Sequence, residues 1–313
     1  MSGDSKFGGI DLGGSKIEAA LFDAELNLLI KQRIATPRGA YADLLDALMR
    51  QCEWLQAQAG DAQLPLGMGV PGLVDRRTGL ATTANLSAMG QPLQADLNAR
   101  LGRPLVMEND CKCFALSEAV GGAGADADVV FGLILGTGVG GGVCRQSSLM
   151  LHHNGLAGEV GHMALPAHVV AQWQLPVLAC GCGRVGCYET LISGPGMSRL
   201  CQHLAGMDKS PREIAQGHAD GDAALSRVFT VWLALLAELI HSIQLVIDPD
   251  CVVLGGGLSS IPGVAALLAQ EFAAHQLPGL LAPSFFSARF CDSSGVRGAA
   301  LLAQSESLRD GPR

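Results

Sequence analysis

The spacing of apolar and polar positions divides this chain into two passes over one plan. The first pass opens with short alternating runs. Phe7–Asp11, Ile17–Phe22 and Leu28–Ile34 read as strands, joined by turns at Leu12–Ser15 and Asp23–Asn27. Helical spacing follows, with Tyr41, Leu44, Leu45, Leu48, Cys52 and Leu55 on one face. Leu66–Val70 is an apolar run that stops at Pro71-Gly72, the pattern of a buried strand. Leu93–Leu101 predicts an amphipathic helix, Pro104–Glu108 a strand, and 111–120 a helix. At Gly121-Gly-Ala-Gly-Ala125 the pattern breaks, which sets a domain boundary. It then restarts: Val129–Leu135 is a strand, Gly136–Gly138 a turn, and Gly140–Cys144 a strand. Strand, glycine turn, strand thus occurs at 7–22 and again at 129–144, an internal echo. A loop-rich stretch follows, then a helical region at Pro195–Ala205. A long helix over Asp222–Ile247 carries Leu225, Val228, Phe229, Trp232, Leu235, Leu236, Leu239 and Ile243 on its apolar face. Cys251–Leu254 is a strand opening into Gly255-Gly256-Gly257, and a closing helix starts near Gly295.

Composition narrows the class. At 313 residues the chain exceeds what one core usually holds, so two domains are expected, about 1–120 and 121–313. Apolar residues make up 49% but aromatics only 4%, so the core is built mostly from Leu, Val, Ala and Ile. A net charge of −8 with no basic run argues against a nucleic-acid surface. The most apolar run, Val231–Ile240, is short and interrupted by Glu238, so no membrane span is expected. Met1–Lys6 lacks an apolar signal region. The expected compartment is the cytoplasm, where thiols stay reduced. Of ten cysteines, Cys52, Cys111, Cys113, Cys144, Cys201, Cys251 and Cys291 are scattered and read mostly as small apolar residues.

The other three cysteines cluster. Cys180-Gly-Cys182 and Cys187 follow His162, giving a Cys3His set suited to tetrahedral Zn²⁺. Four protein ligands close the coordination sphere, which predicts a structural metal. A redox cysteine pair is the alternative, without a thioredoxin-like pattern to support it. Two carboxylates, Glu159 and Glu189, flank the ligands, and a metal there would fix them. The glycine turns suggest phosphates. Asp11-Leu-Gly-Gly-Ser-Lys16 and Gly136-Thr-Gly-Val-Gly-Gly-Gly142 offer N–H groups with few Cβ atoms in the way. Neither is a Walker A loop or a strand-to-helix dinucleotide fingerprint. Asp11, at the first tip, either starts a turn or holds Mg²⁺ through water. In Asn109-Asp110, one residue caps the following helix, or Asp110 is a general base and Asn109 binds the same polyol.

Together these residues resemble the ROK family of repressors, open reading frames and sugar kinases. The likeness is carried by Asp11–Lys16, Gly69-Val-Pro-Gly72, Glu108-Asn-Asp110, Leu135–Gly142, Gly158-Glu-Val-Gly-His162, Cys180–Glu189 and Val253–Gly257, in family order along the chain. Thr36-Pro-Arg38 with Tyr41, Cys113–Glu118 and Ile247–Asp250 resemble the N-acetylglucosamine-specific members. The resemblance implies an α/β chain with the two-domain actin-like ATPase/hexokinase (ribonuclease H-like) fold: duplicated mixed sheets flanked by helices, with the last helix packing back on the N-terminal domain. It implies an ATP-dependent kinase acting on a hexose or N-acetylhexosamine at its 6-hydroxyl, most specifically N-acetyl-D-glucosamine. A kinase of glucose, fructose or mannose is the nearest rival. A sugar-responsive repressor is a rival of another class, disfavoured because only six residues precede Phe7.

Roles are implied residue by residue. Asp110 would be the catalytic base. Gly72, Asn85, Asn109, Glu159, His162 and Glu189 would contact the sugar, with His162 also on zinc beside Cys180, Cys182 and Cys187. Gly9, Ile10, Asp11, Leu12, Gly13, Gly14, Ser15 and Lys16 would hold ATP phosphates with Mg²⁺, as would Thr137, Gly138, Val139, Gly140, Gly141, Gly142 and Val143. Gly255, Gly256 and Gly257 would lie by the adenosine. ATP and sugar would meet in the cleft between the domains. A homodimer, with no nucleic-acid or membrane partner, is implied. Two departures stand out: Ser15 where Thr is usual, and Cys111-Lys112 where small or amide residues are common. Lys112 either adds a positive charge at the site or points to solvent.

Overall fold

The computed structural model describes residues 5–309 except 76, 84, 85, 151–153 and 275. These divide into two compact units. One holds the described residues of Met1–Ser117, Leu151–Leu156 and Asp292–Arg313, the other those of Glu118–Met150 and Ala157–Cys291. The short segment 154–156 therefore belongs to the first unit although its sequence neighbours on both sides belong to the second.

The first unit begins with β1 (Phe7–Leu12), β2 (Lys16–Phe22) and β3 (Leu28–Ala35), an antiparallel meander. Helix α1 (Tyr41–Ala59) leads to β4 (Leu66–Val70), and a small hairpin of β5 (Leu73–Val74) and β6 (Ala81–Thr82) follows. Helix α2 (Leu93–Leu101), β7 (Val106–Asn109) and α3 (Asp110–Ala119) complete this stretch. The strand order is β3-β2-β1-β4-β7, with β4 parallel to both β1 and β7.

The second unit repeats the plan. Strands β8 (Val129–Leu135), β9 (Val139–Arg145) and β10 (Ser148–Leu149) form a second meander. Helices α4 (Ala167–Trp173), α5 (Glu189–Ile192), α6 (Gly194–Ala205), α7 (Pro211–Ala219) and α8 (Ala223–Ile247) intervene before β11 (Cys251–Gly255), α9 (Val264–Phe272) and β12 (Ser284–Ser287). The order β10-β9-β8-β11-β12 matches that of the first sheet, and β11 is parallel to β8 and β12. The duplicated mixed sheets implied by the resemblance are present.

Helix α8 organises the second core. Asp222 caps it by accepting the Leu225 N–H at 2.9 Å. Trp232, Leu235, Leu236 and Leu239 are fully buried in the same core as Phe131, Leu133 and Leu135 of β8, and the Trp232 indole N–H donates to the Ile192 carbonyl at 3.0 Å. Contrary to the expectation from sequence, α8 is long and apolar enough to cross a membrane by length and composition. The expectation weighed only the run Val231–Ile240, interrupted by Glu238, whereas the helix runs on for 25 residues with most of its positions apolar. The buried face explains its apolarity: it is a core helix.

In the first unit α1 covers one face of the sheet, where Leu44, Leu48 and Leu55 meet Ile10, Leu12, Ile17, Ala19 and Leu21. The other face is covered by α10 (Ser294–Arg309), whose Val296 and Ala300 meet Phe7, Ala20 and Phe22. The helix lies unusually close to the strands. A Cβ at Gly9 would collide with the Val296 carbonyl, and one at Gly67 with that of Ala299. The glycines in β1 and β4 are the seat of this helix.

Candidate active site

In the first unit the site grows from the ends of β1, β4 and β7. Asp11 and Glu18 face each other across β1 and β2, and Glu18 faces Arg33 across β2 and β3. Glu18 is 1% exposed. One of its oxygens pairs with the Arg33 Nε, and the other has no hydrogen-bond partner among the described residues. Burial, then the charges of Asp110 and Glu18, push the Asp11 carboxyl up from 3.8 to about 7, against weaker pulls from Lys16 and Arg33. Asp11, Glu18 and Asp110 are thus electrostatic neighbours, with Arg33 paired to Glu18 and Lys16 close enough to pull against them.

Asn109 ends β7 and Asp110 opens α3. The Asn109 side-chain oxygen accepts the N–H of Cys111 at 3.0 Å and of Lys112 at 3.3 Å, so Asn109 is the principal helix cap. Its amide donates to the Gly72 carbonyl at 2.9 Å. Gly72 has φ 91°, and a Cβ there would run into the Thr82 carbonyl, so only glycine lets this loop approach. Asp110 accepts the Cys111 N–H at 2.8 Å in the first turn of the helix. Lys112 neither faces solvent nor stands free. It is 1% exposed, pairs with Glu108 at 3.1 Å and donates to the Gly155 carbonyl. Asn85, expected at the sugar, lies outside the described residues.

The first glycine hairpin exposes only its tip. Gly14, Ser15 and Lys16 are open to solvent and Gly13 partly so, whereas Ile10 and Leu12 are fully buried and Gly9 lies under α10. Those three positions, also expected at the phosphates, lie in the packed stem that carries the tip. The second hairpin behaves alike. Thr137 is exposed and Gly138 partly so, while Val143 is 3% exposed and Gly141 and Gly142 are buried. Gly256, with φ 80°, lies against the Leu135 carbonyl, so the third glycine cluster sits beside the second hairpin.

The metal-ligand set is brought together in the second unit. The ligand atoms of His162, Cys180, Cys182 and Cys187 all lie within 4.8 Å of one another. His162 Nδ1 is 3.6 Å from the Cys180 Sγ, and the Sγ atoms of Cys182 and Cys187 are 3.7 Å apart. A tetrahedron with metal–sulfur bonds of about 2.3 Å has edges of about 3.8 Å. The donor set and its spacing therefore fit a tetrahedral ion. Burial pushes the Cys180 and Cys187 thiols up, and the Arg184 N–H draws Cys182 down. His162 turns its other nitrogen, Nε2, toward Glu159, 3.9 Å away.

Glu189 does more than sequence suggested. One oxygen lies 3.7 Å from the Cys180 Sγ, and the other accepts the Val139 N–H at 2.9 Å. It therefore joins the metal-ligand loop to the second hairpin. Sequence reasoning also passed over Glu18, although its register opposite Asp11 follows from counting along the first hairpin.

Comparison with known proteins adds the lineage. Residues 7–306 match the ROK family. The N-acetylgalactosamine kinase AgaK of Shewanella sp. (strain ANA-3) is 42% identical, over 94% of this chain and 95% of its own. An N-acetyl-D-glucosamine kinase of Pectobacterium atrosepticum is 40% identical, over 94% and 97%. Among solved structures, a ROK hexokinase from Thermus thermophilus is 31% identical with a TM-score of 0.85, covering 98% of this chain and 100% of that one. A ROK family glucokinase from Streptomyces griseus, in complex with glucose and AMPPNP, is 26% identical with a TM-score of 0.78, covering 96% and 100%.

Proposed function

The chain belongs to the ROK family, and from that membership we propose that it is an ATP-dependent kinase that phosphorylates N-acetyl-D-glucosamine at the 6-hydroxyl. The observation that carries the reading is 40% identity, over 94% of the chain, to a relative named N-acetyl-D-glucosamine kinase. The seating of Asp110 beside Asn109 supports it.

Asp110 accepts the proton of the 6-hydroxyl as that oxygen attacks the γ-phosphorus and ADP leaves. A carboxylate of ordinary basicity suffices, because the proton moves late and alignment dominates. Asn109, Gly72, Glu159, His162 and Glu189 are the sugar-contacting residues in this reading, with Asn85. The tips at Gly13–Lys16 and Thr137–Gly138 receive the ATP phosphates, and Gly255–Gly257 the adenosine. Mg²⁺, entering with ATP, would be held by Asp11 with Glu18 and Asp110 nearby, and supplies neutralisation of phosphate charge. Zn²⁺ would be held by His162, Cys180, Cys182 and Cys187. With four protein ligands it has no open position and serves to hold the loop that carries Glu159 and Glu189.

The Shewanella relative supports a second reading, N-acetyl-D-galactosamine, which differs in the configuration at C4. Coupled ADP release across both N-acetylhexosamines, N-acetylmannosamine, glucose, mannose and fructose decides. The proposal expects kcat/KM highest for N-acetyl-D-glucosamine; a higher value for the galactosamine moves it to the second reading, and no ADP release with any of these sugars sinks both. The thiol cluster supports a cytoplasmic setting, where a reducing pool keeps cysteines available to metal. Exposed Leu245, Val246 and Leu281 supply apolar surface of the kind a second copy covers, which supports a homodimer, to be checked by light scattering.

A further inference from the structure

One buried side chain shapes the first hairpin and has no part in the roles above. Thr36 follows β3 and is 5% exposed. Its hydroxyl donates to the Gly13 carbonyl at 2.7 Å, and its N–H donates to the Ser15 carbonyl at 3.1 Å. The Gly13 N–H donates to the Lys16 carbonyl at 2.9 Å. The carbonyls of Gly13, Ser15 and Lys16 are thus all taken from within the protein.

The consequence follows from peptide geometry. In a planar trans peptide the C=O of one residue and the N–H of the next point in opposite directions. Holding the Gly13 C=O against Thr36 therefore turns the Gly14 N–H away from it. Gly14 and Ser15 are exposed, and no acceptor takes either N–H among the described residues. A peptide between two glycines rotates at little steric cost, since no Cβ opposes it. Rotated, it would present a carbonyl oxygen, the negative end of the peptide dipole, where an anion is to bind. The stem of the hairpin does not prevent this; the Thr36 hydroxyl does.

We propose that Thr36 is a positioning residue for the nucleotide: its hydroxyl fixes the Gly13–Gly14 peptide so that the tip presents N–H groups, a concave nest for phosphate oxygens. This rests on the reading of the first hairpin as an ATP site.

The test uses the full-length protein as wild type, Thr36→Val and Thr36→Ser. Valine keeps the shape and removes the donor; serine keeps the donor. Binding of Mg·AMPPNP is measured by calorimetry, and KM for ATP and for N-acetyl-D-glucosamine by ADP release. Thr36→Val is expected to weaken nucleotide binding and raise the KM for ATP on the order of tenfold, the effect of one lost hydrogen bond. The sugar KM stays within about twofold, as does nucleotide affinity in Thr36→Ser. Wild-type affinity in folded Thr36→Val overturns the proposal. So does an equal rise in both KM values, or a serine variant as weak as the valine one. If Thr36→Val is not recovered folded, Thr36→Ala is judged by the same criteria. A wild-type protein that binds no Mg·AMPPNP removes the ATP reading itself, which is a separate outcome.

Discussion

The two glycine hairpins repeat one backbone plan, yet opposite kinds of group hold their tips. At the first, a neutral hydroxyl donor, Thr36, takes a carbonyl. At the second, a carboxylate acceptor, Glu189, takes the Val139 N–H, and the Gly194 N–H at the start of α6 takes the Gly136 carbonyl at 2.7 Å. The first tip stands among acids, with Asp11 raised by burial and then by the charges of Asp110 and Glu18. The second is tied through Glu189 to a cysteine of the metal-ligand set. A duplicated frame has thus received unlike anchors. On the proposed reading the chemistry belongs to the first side and the sugar-binding surface to the second, so damage to the first should fall on turnover and damage to the second on affinity.

Asp110→Asn tests that division most severely. Turnover should fall by about two orders of magnitude or more while the sugar KM stays near that of the wild type. A variant at wild-type turnover would break the assignment of chemistry to the first unit. Cys182→Ser should come next. Metal content by elemental analysis should drop, and sugar affinity with it, about 10- to 100-fold, with a smaller change in kcat. Unchanged sugar affinity in metal-free protein would detach the loop from binding. Glu189→Gln sharpens the comparison: the amide oxygen can still accept the Val139 N–H but without charge, so the KM for ATP should rise about threefold. If it does not rise, the metal-ligand loop and the second tip are independent.

The smallest effect is on stability. In metal-free protein the folded Asp11 binds its proton up to about pH 7, whereas an unperturbed carboxyl releases it near 3.8. The folded state therefore holds more protons between these values, and stability falls as pH rises through that window. The slope reaches at most about 1.4 kcal/mol per pH unit. Asp11→Asn should flatten this dependence in urea titrations at pH 5 and 7; an unchanged slope would remove Asp11 as its source.

Much of this was legible along the chain, because periodicity reports local structure. Leu66–Val70, Leu93–Leu101 and Val129–Leu135 are observed with the limits their apolar spacing predicts. Other elements left weaker traces. Strand β12, Ser-Phe-Phe-Ser, is a partly exposed edge with little alternation. Helix α7 carries its signal in a capping box more than in apolar spacing: Ser210 and Glu213 bracket Pro211 at the first helical position, and Ile214 is its one buried residue. For the site, the cysteine pattern named four ligand atoms that the fold brings within 4.8 Å of one another, and the glycine patterns named two hairpins. They could not say which glycines face outward, because burial of Gly9, for one, depends on α10, far along the chain. Lys112 was unreadable for the same reason: its partner carbonyl, Gly155, is 43 residues away.

The seat of α10 on Gly9 and Gly67 bears on how the protein is made. Residues 294–309 cover the strand formed by residues 7–12, so this strand waits for a segment synthesised far later to emerge. Until then one face of the first sheet, with Phe7, Ala20 and Phe22, has no cover, and Asp11 has no Gly295 beside it. The second core includes no residue of α10 among the described residues. The nascent chain should therefore pass through a stage in which the metal-ligand half is folded and the acid-bearing half is not, and a ribosome stalled before residue 294 would display apolar sheet surface for chaperones to hold.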